Sequence, residues 1–228
     1  MLHEHRDVTG GWLRPAVFGA MDGLVSNFAL IAGVVGGGAS SQTVALAGLA
    51  GLAAGAFSMA AGEYTSVASQ SELALAEIEL ERRELAAHPE VELEELAHMY
   101  AARGVDLDLA REFARQVSRD PERALEAHVW EELGVHPDDL PSPRLAAGSS
   151  FVSFAIGALL PLLPYLFGAS SIVPALAVAL LGLFAAGSLV SLVTQRSWWF
   201  SGLRQLVLGG LAAALTYGFG ALVGAGLD

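Results

Sequence analysis

A chain of 228 residues that is 54% hydrophobic, contains 26 Gly and has a mean hydropathy of +0.51 is too apolar for an ordinary soluble domain. With no cysteine, disulfides and thiolate metal sites are excluded. The net charge of −12 is local: residues 72 to 139 hold 19 of the 24 acidic and seven of the 12 basic residues, so the rest of the chain is neutral. An acidic insert between apolar arms argues against nucleic acid and for cations as ligands.

The N-terminus, MLHEHRDVTGGWLRP, lacks the charged-then-apolar pattern of a cleaved leader, so the first apolar segment is expected to be a retained span. A bilayer core of about 30 Å needs roughly 20 apolar residues per helix. Five segments reach that length, at approximately 15–36, 42–63, 147–167, 172–194 and 203–226. The short turns GGGASSQ and FGASSI carry no charge. Arg6, Arg14, the Arg-containing insert, Arg144, Arg196 and Arg204 all fall on the other side. The positive-inside rule therefore places the N-terminus and the insert in the cytoplasm and Asp228 outside. Trp198 and Trp199 are expected at the interface before the fifth span. Gly48, Gly51 and Gly55 in the second span and the Gly-rich fifth span predict close helix packing, with a dimer interface as one use for it.

No Gly or Pro falls between Glu63 and Pro89, so the second span is expected to continue as one helix out of the membrane to about His88. At helical spacing, Met59, Glu63, Ser66, Gln70, Glu77, Glu81, Glu84 and His88 form a polar stripe interrupted at Leu73 or Ala74. Beyond it, Pro89 opens a helix that stops at Gly104, Asp106 or Asp108 caps another, and Asp120-Pro121 begins a last one ending at Leu133-Gly134. Pro137, Pro141 and Pro143 form the linker back to the membrane. The expected fold is all-α: a polytopic membrane protein with five transmembrane helices and a cytoplasmic three-helix acidic insert. The expected division is residues 1–71, 72–143 and 144–228.

Asp22 lies about seven residues inside the first span, where an acid is costly and seldom idle. Met59 and Glu63 lie at matching depth in the antiparallel second span, and a carboxylate with a thioether suits Fe²⁺, Mn²⁺ or Zn²⁺ rather than Na⁺ or Ca²⁺. The plainer alternative pairs Asp22 with a buried Arg such as Arg204 and leaves Met59 as packing. In the insert, Glu81-x-x-Glu84, Glu92-x-x-Glu95 and His128-x-x-x-Glu132 set donors on common helical faces. A multivalent cation would relieve the repulsion within the Glu pairs; the plainer alternative is a solvated acidic face. Glu95-x-x-His98 has di-iron spacing but occurs once, so a ferroxidase centre is not expected, nor is any prosthetic group or enzymatic activity. His3, His5 and His136 read as surface residues, and no G-x-x-x-x-G-K-[ST] loop is present to support ATP-driven pumping.

MDGLVSNFALIAGV, SMAAGEYTSVASQSE, ERRELAAHPEVELEEL, EELGV and PLLPY together resemble the vacuolar iron transporter family over nearly the whole chain. The resemblance implies a homodimer of five-span subunits that exports Fe²⁺ from the cytosol in exchange for protons. It also implies translocation roles for Asp22 and Met59, and cytoplasmic metal ligation by Glu81, Glu84, Glu92, Glu95 and Glu132. Plant members place two Met where this chain has His128 and Val129, so His128 is expected to be a substitute donor that changes selectivity among Fe²⁺, Mn²⁺ and Zn²⁺. Lipid, protons and divalent metals are the expected partners. An all-Arg basic complement points to a GC-rich prokaryote and a bacterial inner membrane, or a vacuolar membrane if the source is eukaryotic. The rival readings are a membrane-anchored metal sensor or buffer, and a transporter selective for Mn²⁺ or Zn²⁺.

Overall fold

The computed structural model describes residues 11–194 and 196–226, apart from the side chains of 192–194. His3, His5, Arg6 and Asp228 lie outside the described residues. Among these there are eight helices and no strand: α1 (Leu13–Gly36), α2 (Ser41–Ala87), α3 (Pro89–Ala102), α4 (Leu107–Val117), α5 (Pro121–Leu133), α6 (Pro143–Leu166), α7 (Val173–Thr194) and α8 (Trp198–Gly224). α1, α2, α6, α7 and α8 are long and apolar enough to cross a bilayer.

Two boundaries differ from the apolar pattern for identifiable reasons, and a third falls where it is expected. Pro143, expected in the linker, is the first residue of α6, where a missing N–H is harmless because first-turn amides have no helical partner. α8 begins at Trp198 rather than near 203, since Ser197 precedes it with extended backbone and nothing in WWFSG breaks a helix. Trp198 and Trp199 thus form its first turn. α2 stops at Ala87 because His88 precedes Pro89, and the residue before proline is pushed out of the helical region; His88 has φ −132 and ψ 49.

The chain divides into two compact units. One contains α1, α6, α7, α8 and α2 as far as Thr65. Its central helix is α1, which packs on α6, α7 and α8. In lipid, apolar burial gives no net drive for helix association, so close packing must supply it. The sequence provides for this with small residues. A Cβ on Gly23 would run into the Phe154 backbone of α6, one on Gly157 into the Ala20 carbonyl of α1, and one on Gly220 of α8 into the Gly33 carbonyl. Leu24, Phe28 and Ala32 then interdigitate with Ala179, Leu183 and Ala213, and the Thr216 hydroxyl lies 2.8 Å from the Ala29 carbonyl. Phe57, Leu181, Phe219 and Leu222 stay exposed, as lipid-facing side chains do.

The second unit, Ser66–Ser142, contains the remainder of α2 with α3, α4 and α5. Its helix ends follow local chemistry. Asp106 accepts from the amides of Asp108 and Leu109, Asp120 accepts from Glu122, and Gly134 ends α5 at φ +67. Leu96, Ala97, Ala110 and Ala114 form one core, and Ile78, Leu125 and Val129 a second beneath α2. Arg82 pairs with Glu122 at 2.6 Å and Arg111 with Glu94 at 3.0 Å. Arg103 pairs with Glu131, whose side chain is only 4% exposed.

Candidate metal centre

α5 exposes one face to solvent and turns the other inward, which carries His128 and Val129 into the core with no exposure at all. The imidazole Nδ1 lies 3.1 Å from Glu132 on the next turn, 3.1 Å from Glu81 on α2 and 3.8 Å from Glu92 in the first turn of α3. One potential donor atom from each of these four residues lies within 4.8 Å of the others. A tetrahedral ion bound at about 2.1 Å from each would set the donors about 3.4 Å apart, so the widest-spaced of them would move inward by up to about 1.4 Å.

Three carboxylates around one imidazole lack donors. His128 Nδ1 is hydrogen-bonded with Glu132, while Glu81 Oε1 and His128 Nε2 are buried without a hydrogen-bond partner. Burial pushes the Glu81 carboxyl up to about 7; the Glu132 charge adds to this, His128 opposes it, and Glu92 and Glu95 contribute further. Burial also raises Glu92, with Glu95 the next cause. Oxygen donors with one imidazole nitrogen are the set that Mn²⁺, Fe²⁺ and Zn²⁺ accept, and a bound dication would replace the missing positive charge.

Of the insert residues named from spacing, Glu81, Glu92, His128 and Glu132 converge, while Glu84 and Glu95 do not join the group. Glu84 is 3.8 Å from His88, and Glu95 is exposed. Both remain close enough to raise the Glu92 carboxyl. His98 and His136 are both exposed, and His136 stacks on Trp130 with centroids 4.4 Å apart.

In the other unit, Asp22 and Met59 line a common cavity of about 350 Å³ with Ser26, Asn27 and Ser58. Glu63, one turn beyond Met59, is half-buried and outside the cavity lining. Among the described residues Asp22 has no basic partner. Arg204 is exposed on α8 and does not pair with it. Ser26 donates to the Asp22 backbone carbonyl at 2.6 Å and leaves the carboxylate untouched. Gly51 and Gly55 of α2 keep the cavity open. Spacing did not single out Asn27, which is 2% exposed and donates through Nδ2 to the Ala158 carbonyl at 2.6 Å.

A model of the VIT family matches residues 13–221. A vacuolar iron transporter of Acanthamoeba castellanii is 39% identical over 225 residues, covering 96% of this chain and 82% of its own length. Vacuolar iron transporter 1 of Eucalyptus grandis is 30% identical, with 96% and 90% covered. Vacuolar iron transporter 1 of Arabidopsis thaliana is also 30% identical, with 94% and 88% covered.

Proposed function

Because this chain belongs to the VIT family, we propose that it exports Fe²⁺, and Mn²⁺ with it, from the cytosol in exchange for protons. The observation that carries this reading is the cavity that Asp22 and Met59 both line: an acid with no basic partner among the described residues and a thioether face one space between two apolar helices, where a passive anchor has no use for either. The insert, residues 72–143, serves as a cytoplasmic collecting domain, with Glu81, Glu92, His128 and Glu132 as its inner ligands and Glu84 and Glu95 at its rim. Asp22, and Glu63 nearer the cytosol, bind metal only when deprotonated, so arrival of an ion displaces protons and protonation from the far side favours release. His128 supplies an imidazole nitrogen rather than a thioether sulfur, which makes the site harder and admits Mn²⁺ and Zn²⁺ beside Fe²⁺.

The functional unit in this reading is a homodimer. Asp22 is exposed in a single chain although it lies within a span, and a second copy over the α1 and α2 face would enclose it. The membrane is the bacterial inner membrane, or the vacuolar membrane in a eukaryote. The test is flux of Fe²⁺ under anaerobic conditions, and of Mn²⁺, into proteoliposomes with an imposed pH gradient. Asp22→Asn and Asp22→Ala are expected to abolish flux while leaving expression and dimer intact. Wild-type flux in either would leave the insert as a membrane-anchored buffer.

A further inference from the structure

Asn27 is five residues beyond Asp22 in α1, which at 1.5 Å rise per residue puts it roughly 7 Å deeper along the helix. Its amide is held in one orientation. The Ala158 carbonyl can only accept, so the group 2.6 Å from it is the Nδ2 donor, and Oδ1 must point the other way. That oxygen is buried and has no hydrogen-bond partner. It is directed toward Gly51 of α2, where a Cβ would sit 3.0 Å from it. Asn27 and Gly51 both line the cavity that holds Asp22 and Met59. The α1–α6 hydrogen bond accounts for the amide nitrogen, but it leaves an acceptor unmet at bilayer depth, which is unfavourable unless something positive comes to it.

We infer that the Asn27 side-chain carbonyl is a second, uncharged station for the transported dication, beyond Asp22, and that Gly51 is glycine because any side chain there would cap that oxygen. This rests on the transport reading above. The two stations differ in chemistry. A carboxylate binds the ion and must exchange a proton; an amide oxygen is a hard, neutral donor that offers coordination with no proton to trade. Such a donor holds an ion that has left Asp22 weakly enough for it to move on. Loss of this station therefore lowers maximal flux without altering its pH dependence.

The experiment uses the full chain in proteoliposomes with Mn²⁺ as the probe and compares Gly51→Ala, Asn27→Leu and Asp22→Asn. Gly51→Ala places a methyl at Oδ1 and otherwise displaces only the flexible end of Leu30, so the Asn27–Ala158 bond survives. It is expected to lower maximal Mn²⁺ flux about tenfold with the wild-type pH profile retained, and Asn27→Leu to lower it at least as far. Wild-type flux in Gly51→Ala overturns the inference, and a defect confined to Asn27→Leu would then mark Asn27 as a pin between helices. Wild-type flux in Asp22→Asn, by contrast, overturns the transport reading itself. Should Gly51→Ala fail to assemble, Asn27→Cys in this cysteine-free chain decides: a shift of about threefold in Cd²⁺ over Mn²⁺ flux supports ligation at position 27, and an unchanged ratio refutes it.

Discussion

Raising the pH from about 5.5 to about 7.5 is expected to tighten Mn²⁺ binding to the insert, because the Glu81 carboxyl, pushed up to about 7, must lose its proton before it can ligate. With that value the ionised fraction of Glu81 rises from a few per cent to about three quarters, so the apparent affinity rises about twenty-fold. Glu92, also raised, adds in the same direction. Each ion bound near pH 7 releases about half a proton from Glu81, and nearly a whole one at the acid end. The metal-free insert has the opposite trend in stability. The unfolded chain ionises Glu81 near 4.5 and the folded chain only near 7. Between these values the folded state retains a proton that the unfolded state has lost, so stability falls as the pH rises and the contribution is gone above the folded value. The shift corresponds to about 3 kcal/mol at most, and partial solvation of the carboxyl reduces this to about 1–2 kcal/mol. Calorimetric titration of the purified insert with Mn²⁺ in buffers of unequal ionisation enthalpy measures affinity and proton release together. A level affinity across this range with no proton released would refute the reasoning.

Three other outcomes are expected. His128→Met should shift the insert's preference from Mn²⁺ toward Cd²⁺ by about tenfold in competition titrations, and His128→Ala should weaken Mn²⁺ binding less than Glu132→Ala does. Arg103→Met leaves the Glu131 side chain, only 4% exposed, without its cation and should cost about 3 kcal/mol in urea denaturation of the insert, with most of it recovered in the double variant carrying Glu131→Leu. Gly157→Ala drives a methyl into the Ala20 carbonyl and should destabilise the α1–α6 pair by about 1–3 kcal/mol, seen as a lower thermal midpoint in detergent; an unchanged midpoint would mean that the two backbones are not in contact.

The five long helices are readable because a bilayer demands windows of a length that little else produces. The insert helices are readable because Pro89, Asp106, Asp120 and Gly134 act on their immediate neighbours. The boundaries at Pro143 and Trp198 are not encoded locally, because each residue type allows two roles: proline both ends linkers and opens helices, and tryptophan sits both before and within a first turn. The candidate site was half legible. Spacing marks Glu81 with Glu84, and Glu92 with Glu95, as equals, yet a step of three residues turns a side chain by about 60° around the helix. Only Glu81 and Glu92 therefore face His128. Which member faces inward depends on how α2, α3 and α5 pack, and no local pattern encodes that. Asn27 carried no signal because a buried amide normally satisfies itself; its significance lies in the one oxygen that does not.

The glycines where α1 meets α6 also constrain how the protein is made. Asn27 and its partner Ala158 are 131 residues apart, with α2 and the entire insert between them. At about 5–20 residues per second, a ribosome needs roughly 7–26 s to produce that length. For this interval α1 has only α2 beside it, through Ile31 and Val44, and its Gly19 and Gly23 stay bare until α6 and the still later α8 arrive. The insert, complete well before α6 emerges, has time to fold on the ribosome. Assembly of the membrane unit therefore passes through an α1–α2 pair whose small-residue face is uncovered until α6 arrives.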